Sequence, residues 1–275
     1  MNYIELSIET TSLPEILPEI LIANLSQIGF ESFVHESAVL LAYIPEKNYN
    51  GLKTENLLSP YFVNYFTKLI PEKNWNTEWE QNFKPVVISD KIYIRATFHK
   101  KENYPYELII EPKMSFGTGH HETTSMMCEL MLQTDFRKKN VLDMGCGTGI
   151  LAVLASKLGA TQVLAIDNDE WAYNNTLENI KLNDVTNVQC SLGDISAIEK
   201  ELFHVVLANI NMNVLKNDIA TYAKHLKSKG MLLLSGFYDS DINEILAAAN
   251  ASGLVLKNKI VKNNWAACNL IAKSK

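Results

Sequence analysis

Val141-Leu-Asp-Met-Gly-Cys-Gly-Thr-Gly149 is followed, eighteen residues on, by Asp167 at the end of a second apolar run, Val163 to Ile166. An apolar strand that runs straight into three glycines spaced GxGxG makes a turn whose backbone a ligand can approach without Cβ interference. The amide N–H groups of that turn are exposed at the start of the next helix. A glycine-rich turn taken alone is as often an ordinary tight turn. The acid 22 residues after Gly145 changes that reading, because its two acceptor oxygens lie where they can grip both hydroxyls of a ribose. The pair points to a small nucleoside-containing molecule whose sugar is not phosphorylated.

Outward from the turn, helical and strand periodicities alternate. A helix from Thr124 to about Leu132 precedes strand Asn140 to Asp143, helix Ile150 to Leu158, strand Gln162 to Asp167 and a helix for which Asp169 is the N-cap. A third strand is predicted at about Val188 to Cys190 and a fourth at Phe203 to Ala208. A helix at about Val214 to Leu226, strand Met231 to Ser235 and a helix at about Ser240 to Ser252 follow. Two final strands, Leu254 to Val261 and Trp265 to Ala272, flank Asn263-Asn264, a pair suited to a hairpin turn. Such alternation builds an α/β fold on a mainly parallel sheet.

A dinucleotide site carries GxGxxG, with the pyrophosphate on the helix N-terminus. Here the third glycine arrives one residue early and Asp143 precedes the turn. This arrangement resembles the first motif of class I S-adenosylmethionine methyltransferases, whose Rossmann-like fold is a seven-stranded mixed sheet ending in a hairpin. The resemblance implies S-adenosyl-L-methionine as cofactor, held by its ribose and amino-acid tail. It also implies that Asp194, in Leu192-Gly193-Asp194 after the third strand, faces the exocyclic amine of adenine. The fourth strand delivers Asn209 to the carboxyl edge of the sheet, where α/β ligand sites are built. Read singly, Asp194 is also a natural cap for a helix beginning near Ile195, and Asn209 an ordinary turn residue.

The front of the chain is different. Residues 2 to 9 alternate apolar and polar, and Leu13 to Ile28 has helical spacing behind a Thr-Ser cap. Two short runs, Gly29 to His35 and Val39 to Ile44, precede a predicted helix from about Gly51 to Leu69 that stops before Pro71. These elements suit a small α+β sandwich of ferredoxin-like type over residues 1–70. The polar, aromatic stretch Asn74 to Glu80 marks a linker over 71–84, and two strands, Val86 to Ile88 and Ile92 to Phe98, open a second domain spanning 85–275. Residues 1 to 75 hold nine acids against four lysines, a balance of −5, whereas the other 200 residues are nearly neutral. An acidic front domain repels phosphate backbones and attracts a basic partner, so no direct nucleic-acid binding is expected.

Cys128, Cys146, Cys190 and Cys268 form no CxxC pair, and the six histidines form no HExxH cluster. Neither a disulfide framework nor a metal site is indicated. No apolar stretch approaches the roughly 20 residues that span a bilayer, and the N-terminus lacks a basic start and an apolar signal core. A cytoplasmic protein is expected.

Ahead of the glycine turn stands Met114-Ser-Phe-Gly-Thr-Gly-His-His-Glu-Thr-Thr124, dense in glycine, threonine and histidine. By itself it is a flexible, capped helix start, with Thr123 or Thr124 as N-cap. Its position also lets it fold over the cofactor. Phe-Gly-Thr-Gly-x-His-x-Thr-Thr, the glycine turn and Ala-Asn-Ile after the fourth strand together resemble the PrmA family, which methylates large-subunit ribosomal protein eleven, and the likeness covers the whole chain. It implies cofactor contacts at Thr124, Gly145, Asp167 and Asn209, whose intervals of 21, 22 and 42 residues are intact. Gly147 and Asp194 join this cofactor-binding set. Glu122 replaces a frequent proline of the family, and His120 a small residue.

Methyl transfer from a sulfonium is an in-line displacement that needs positioning and an uncharged nucleophile more than acid–base chemistry. Asn209 can accept a hydrogen bond from an amine without adding charge, and His121 is a candidate proton acceptor. Ile-Asn-Met follows Asn209, in place of the Asn-Pro-Pro-aromatic clamp of enzymes that methylate flat nitrogens. Lysine side chains, and the N-terminal α-amine, of a basic ribosomal protein captured free of RNA are the expected acceptors; another protein or a small amine is the alternative. A nicotinamide oxidoreductase fits less well, lacking the third glycine's spacing and a Tyr-Lys or His-acid pair. A non-catalytic binding module would not need Gly145, Gly147, Gly149, Asp167 and Asn209 together.

Overall fold

The alternation of residues 2 to 9 becomes β1 (Tyr3–Glu9) in a computed structural model, which describes residues 1–11, 13–36, 38–72, 80, 82–113, 115–198 and 200–273. There follow α1 (Leu17–Gln27), β2 (Ser32–Glu36), β3 (Val39–Pro45), α2 (Gly51–Leu58) and β4 (Tyr65–Ile70). The four strands are antiparallel in the order β2-β3-β1-β4, which with the two helices gives the ferredoxin-like topology. Leu6, Ile8, Leu40 and Ile44 of the sheet bury against Leu21, Leu25 and Leu58 of the helices.

The predicted helix from Gly51 to Leu69 is half that long. It gives way at Ser59-Pro60-Tyr61 to a single 3-10 turn, Phe62 turns the chain with φ of 53°, and Tyr65 to Ile70 then pairs with β1. Proline supplies no amide hydrogen to continue the ladder, and pairing with β1 satisfies the backbone that a longer helix would have satisfied internally. Helix α1 likewise starts later than expected. Ile16 is its N-cap and makes no side-chain capping bond, while Pro18 presets the first turn. The Ser12 half of the predicted Thr-Ser cap lies outside the described residues, as does most of the aromatic stretch proposed as linker.

By contacts the chain divides into units Met1–Asn82 and Phe83–Lys275. The second opens with a ribbon of β5 (Val86–Ile88), β6 (Ile92–Arg95) and β7 (Tyr106–Ile109), the last absent from the sequence-based prediction. Its main body is α3 (Glu122–Leu132), β8 (Asn140–Met144), α4 (Ile150–Lys157), β9 (Gln162–Asp167), α5 (Glu170–Leu182), β10 (Val188–Leu192), β11 (Phe203–Asn209), α6 (Met212–His225), β12 (Leu226–Tyr238), α7 (Ile242–Ala251), β13 (Leu254–Lys262) and β14 (Trp265–Ala272). The seven strands run β10-β9-β8-β11-β12-β14-β13, with only β14 antiparallel to its neighbours. The helix expected near Ile195 is one 3-10 turn, Ile195–Ala197, because β11 begins six residues later. Asn263 and Asn264 both take positive φ, as a two-residue hairpin requires.

Two apolar layers sandwich the sheet. Met127, Met131, Leu151 and Leu154 of α3 and α4 cover one face, and Leu215, Ile219, Tyr222 and Ile245 of α6 and α7 the other. After β8 the chain winds outward to β9 and β10, then returns to β11 on β8's other side. The carboxyl ends of β8 and β11 therefore part at a topological switch point, where open α/β sheets form their clefts.

Candidate active site

At that switch point the glycine turn folds tightly against its own protein. The N–H groups of Gly145 and Cys146 donate to the Ile166 carbonyl at 2.8 and 3.1 Å. Gly145 and Gly147 have φ of 67° and 57°, and a Cβ on either would come within 2.2 Å of Ile210 Cγ2 or 2.3 Å of the Phe116 carbonyl oxygen. These glycines thus admit protein neighbours at their backs as well as any ligand. Thr148 ties the preceding loop down: its N–H donates to Phe116 O at 3.0 Å and its hydroxyl to Gly117 O at 2.6 Å.

A cavity of about 640 Å³ opens over the turn, a volume suited to a small-molecule ligand. Gly145, Gly147, Asp167, Asp194, Asn209 and His121 all line it. Asp167 is held by two backbone donors, Gly147 N–H at 2.8 Å and Asp169 N–H at 3.0 Å, and each carboxylate oxygen keeps capacity for another donor. Asp194 is exposed and accepts from the N–H of Ser196 at 2.8 Å and its hydroxyl at 2.6 Å; these bonds lower its pKa. Its capping role and its place in the cavity wall thus coexist.

Asn209 comes off β11 and donates through Nδ2 to Thr124 Oγ1 at 3.3 Å. Its Oδ1 is buried and has no partner among the described residues. Thr124 is itself fully buried; the cavity is lined by Thr123, and Thr124 orients the Asn209 amide from behind. His121 proves to be the N-cap of α3, where its Nδ1 accepts from Thr123 N–H at 3.3 Å. The same Nδ1 lies 2.8 Å from Thr123 Oγ1, so this nitrogen is engaged within the cap.

Several supports of the site escaped the sequence reading. Asn179 is fully buried in α5, accepts Glu111 N–H at 2.9 Å and donates to Thr148 O at 2.8 Å. Asn183 closes both backbone groups of Ile109, with bonds of 2.9 and 2.6 Å. Asn175, Asn179 and Asn183 recur every four residues along one helical face, a polar stripe that signals buried hydrogen bonding when it faces a core. Beneath the turn, Asp143 is 1% exposed; its Oδ2 accepts Ala152 N–H at 3.0 Å and its Oδ1 has no partner among the described residues. Burial pushes its pKa up to about 7. Among the described residues no group of acids, histidines or cysteines is placed to hold a metal ion, and no helix is long and apolar enough to cross a membrane.

A seven-stranded sheet with one reversed strand and a glycine turn at its switch point is the fold of class I methyltransferases. Two solved structures share it. A ribosomal protein L11 methylase from Lactobacillus delbrueckii subsp. bulgaricus superposes with a TM-score of 0.65 at 22% identity, covering 70% of this chain and 98% of that one. A methyltransferase from Pyrococcus furiosus gives 0.52 at 21% identity, covering 61% and 90%. The chain belongs to the family described as ribosomal protein L11 methyltransferase (PrmA), whose model matches residues 23–273. Relatives of that name from Porphyromonas gingivalis and Bacteroides fragilis strain ATCC 25285 are 44% and 43% identical, over 97% and 98% of this chain and 97% and 100% of their own lengths.

Proposed function

We propose that this protein binds S-adenosyl-L-methionine in the cleft and methylates amines of ribosomal protein L11, lysine side chains and the N-terminal α-amine, in the cytoplasm and before the substrate joins the ribosome. The observation that carries the reading is the cavity at the switch point, whose wall brings together Gly145, Gly147, Asp167 and Asn209 from separate strand ends.

The chain's residues suit this cofactor. Asp167 offers two oxygens for a ribose, Gly145 and Gly147 bring backbone to the cavity wall, and Asp194 lies farther along, beside Gly193 and Ile195. The cofactor supplies a methyl group made electrophilic by a sulfonium that leaves as a neutral thioether. Around it the protein's task is to present a neutral amine in line. A lysine amine, with an ordinary pKa near 10.4, must first lose its proton, which burial in the cleft favours. The Asn209 amide stands at the cavity wall and can take one N–H of that amine once its oxygen turns toward the cleft, leaving the amine's lone pair free for the methyl. The Nδ1 of His121 serves the helix cap, so His121 acts in this reading by shaping the wall.

The first unit supplies capture. All nine acids of residues 1 to 75 except Glu5 are exposed, and the region's balance of −5 attracts a basic substrate while repelling RNA-covered particles. The test is transfer of radiolabelled methyl groups to purified L11, with intact large subunits and total small amines as parallel acceptors. Label is expected in L11, faster free than assembled. Label confined to other acceptors would reassign the substrate, and failure to bind S-adenosylhomocysteine would overturn the reading altogether.

A further inference from the structure

His204 stands half-buried at the amino end of β11, the end of the strand opposite the cleft. Both of its ring nitrogens face hydrogen-bond donors. Nδ1 takes the N–H of Asn140, at the amino end of β8, at 2.9 Å, and Nε2 lies 3.4 Å from Lys227 Nζ. Whichever nitrogen carries the proton of the neutral ring, one donor meets another. The shorter backbone bond keeps the Nδ1 lone pair, so the ring presents Nε2–H beside the Lys227 ammonium, and neither group can satisfy the other.

The backbone holds this arrangement in place. Phe203 pairs with Leu226 and Val205 with Met231, so Lys227 to Gly230 are extra chain opposite His204 alone. Lys229 takes a φ of 58°, and a Cβ on Gly230 would come within 3.3 Å of the His204 carbonyl oxygen, so the bulge lies tight against the ring's own backbone. The neighbouring charge is of one sign. Burial lowers the pKa of His204, and the charges of Lys227 and then Lys139 lower it further. Neither lysine forms an ion pair among the described residues. Asp135, in the turn before β8, is taken by Arg137 at 2.8 Å. Lys138 and Lys229 stand exposed on the same two turns. Half-buried donors of like charge, held together without a carboxylate, suit an anion that has only acceptor oxygens to offer.

We propose that His204, Lys227 and Lys139 form a binding site for a phosphate dianion, inorganic phosphate or the terminal phosphate of a small molecule, at the amino edge of the sheet. A phosphate near neutral pH carries a charge of about −1.5 to −2 and three strong acceptor oxygens, which match one imidazole N–H and two ammonium groups. The bond from Asn140 fixes the ring that presents Nε2–H, and Lys138 and Lys229 draw the anion in. This site and the cofactor cleft lie at opposite ends of β8 and β11, and their charges are opposite as well. The cleft's charged side chains among the described residues are Asp167, Asp169, Asp194 and Asp218, which repel phosphate. Three donors around one ring suit a single dianion better than the spaced monoanions of an RNA strand, which the acidic first unit also repels.

Calorimetric titration of the full chain, with and without saturating S-adenosylhomocysteine and at constant ionic strength set by chloride, tests the site. The probes are inorganic phosphate, glycerol 3-phosphate and an RNA hexanucleotide without terminal phosphates. Saturable binding of the first two is expected, unchanged by S-adenosylhomocysteine, and none of the third. Lys227→Gln and Lys139→Gln should each weaken phosphate binding about 10-fold or more, as the loss of a charge-assisted hydrogen bond does, while Lys227→Arg keeps most of it. Both lysines are half-exposed, so these variants should fold, and their affinity for S-adenosylhomocysteine reports that they have. Lys53→Gln, in the first unit, removes the same charge elsewhere and should change nothing. Absence of phosphate binding would overturn the proposal, as would equal weakening by Lys53→Gln, which would make the effect one of net charge. Binding that S-adenosylhomocysteine abolishes would move the anion into the cleft, and binding of the RNA without inorganic phosphate would make this edge a nucleic-acid face; either result also overturns it.

Discussion

Asp143 shows how one residue can serve the site at a cost. It anchors the first turn of α4 through Ala152, yet burial holds its pKa near 7 while the unfolded carboxyl ionises near 3.8. Between those values the unfolded chain gives up a proton that the folded protein keeps, so rising pH favours unfolding across that window and not above it. Stability of the second unit in chemical denaturation should therefore fall by about 2 to 4 kcal/mol from pH 4 to pH 7, and Asp143→Asn should flatten this slope. A wild-type slope that survives the substitution would mean the acid titrates normally. Asp143 was legible as part of a motif, but its burial and missing partner were not, since both depend on α4 lying over β8.

At the scale of elements, α5 acts as a polar strut. Its asparagines bind the backbone of residues 109 to 111 on one side, and Asn179 reaches Thr148 in the glycine turn on the other. Asn179→Leu removes both partners and leaves a buried N–H and C=O unmet, which should cost about 2 to 4 kcal/mol. It should also raise the Kd for S-adenosylhomocysteine, because Thr148 holds Phe116 and Gly117 in place. Thermal unfolding and calorimetric titration check the two effects separately. The elements that the sequence misjudged share a cause. The end of α2, the whole of β4 and β7 depend on which backbone groups find partners in distant strands, whereas helical and strand periodicity reports only on near neighbours.

For the whole molecule, the excess of exposed acid in the first unit predicts a salt effect confined to the protein substrate. Charges in water are screened within about 10 Å at 0.1 M salt and about 3 Å at 1 M. Raising salt from 50 to 500 mM should increase KM for free L11 several-fold while the affinity for S-adenosylhomocysteine changes little. Equal loss of both would place the effect in the cleft, and no change in KM would remove charge from substrate capture.

By itself the sequence determined the α/β class, the glycine turn, Asp167 and the terminal hairpin, because each is written in contiguous residues whose spacing carries its own physics. Asp143, Asn179 and Phe116 stand in that same sequence without showing what they do. Only the tertiary structure decided that Thr124 steadies Asn209 across 85 residues of chain, and that a hairpin pinned to α3 sets Trp265 beside His121. Those relations arise from the crossing of strands at the switch point, and burial and an unpaired oxygen exist only once the sheet has closed around them.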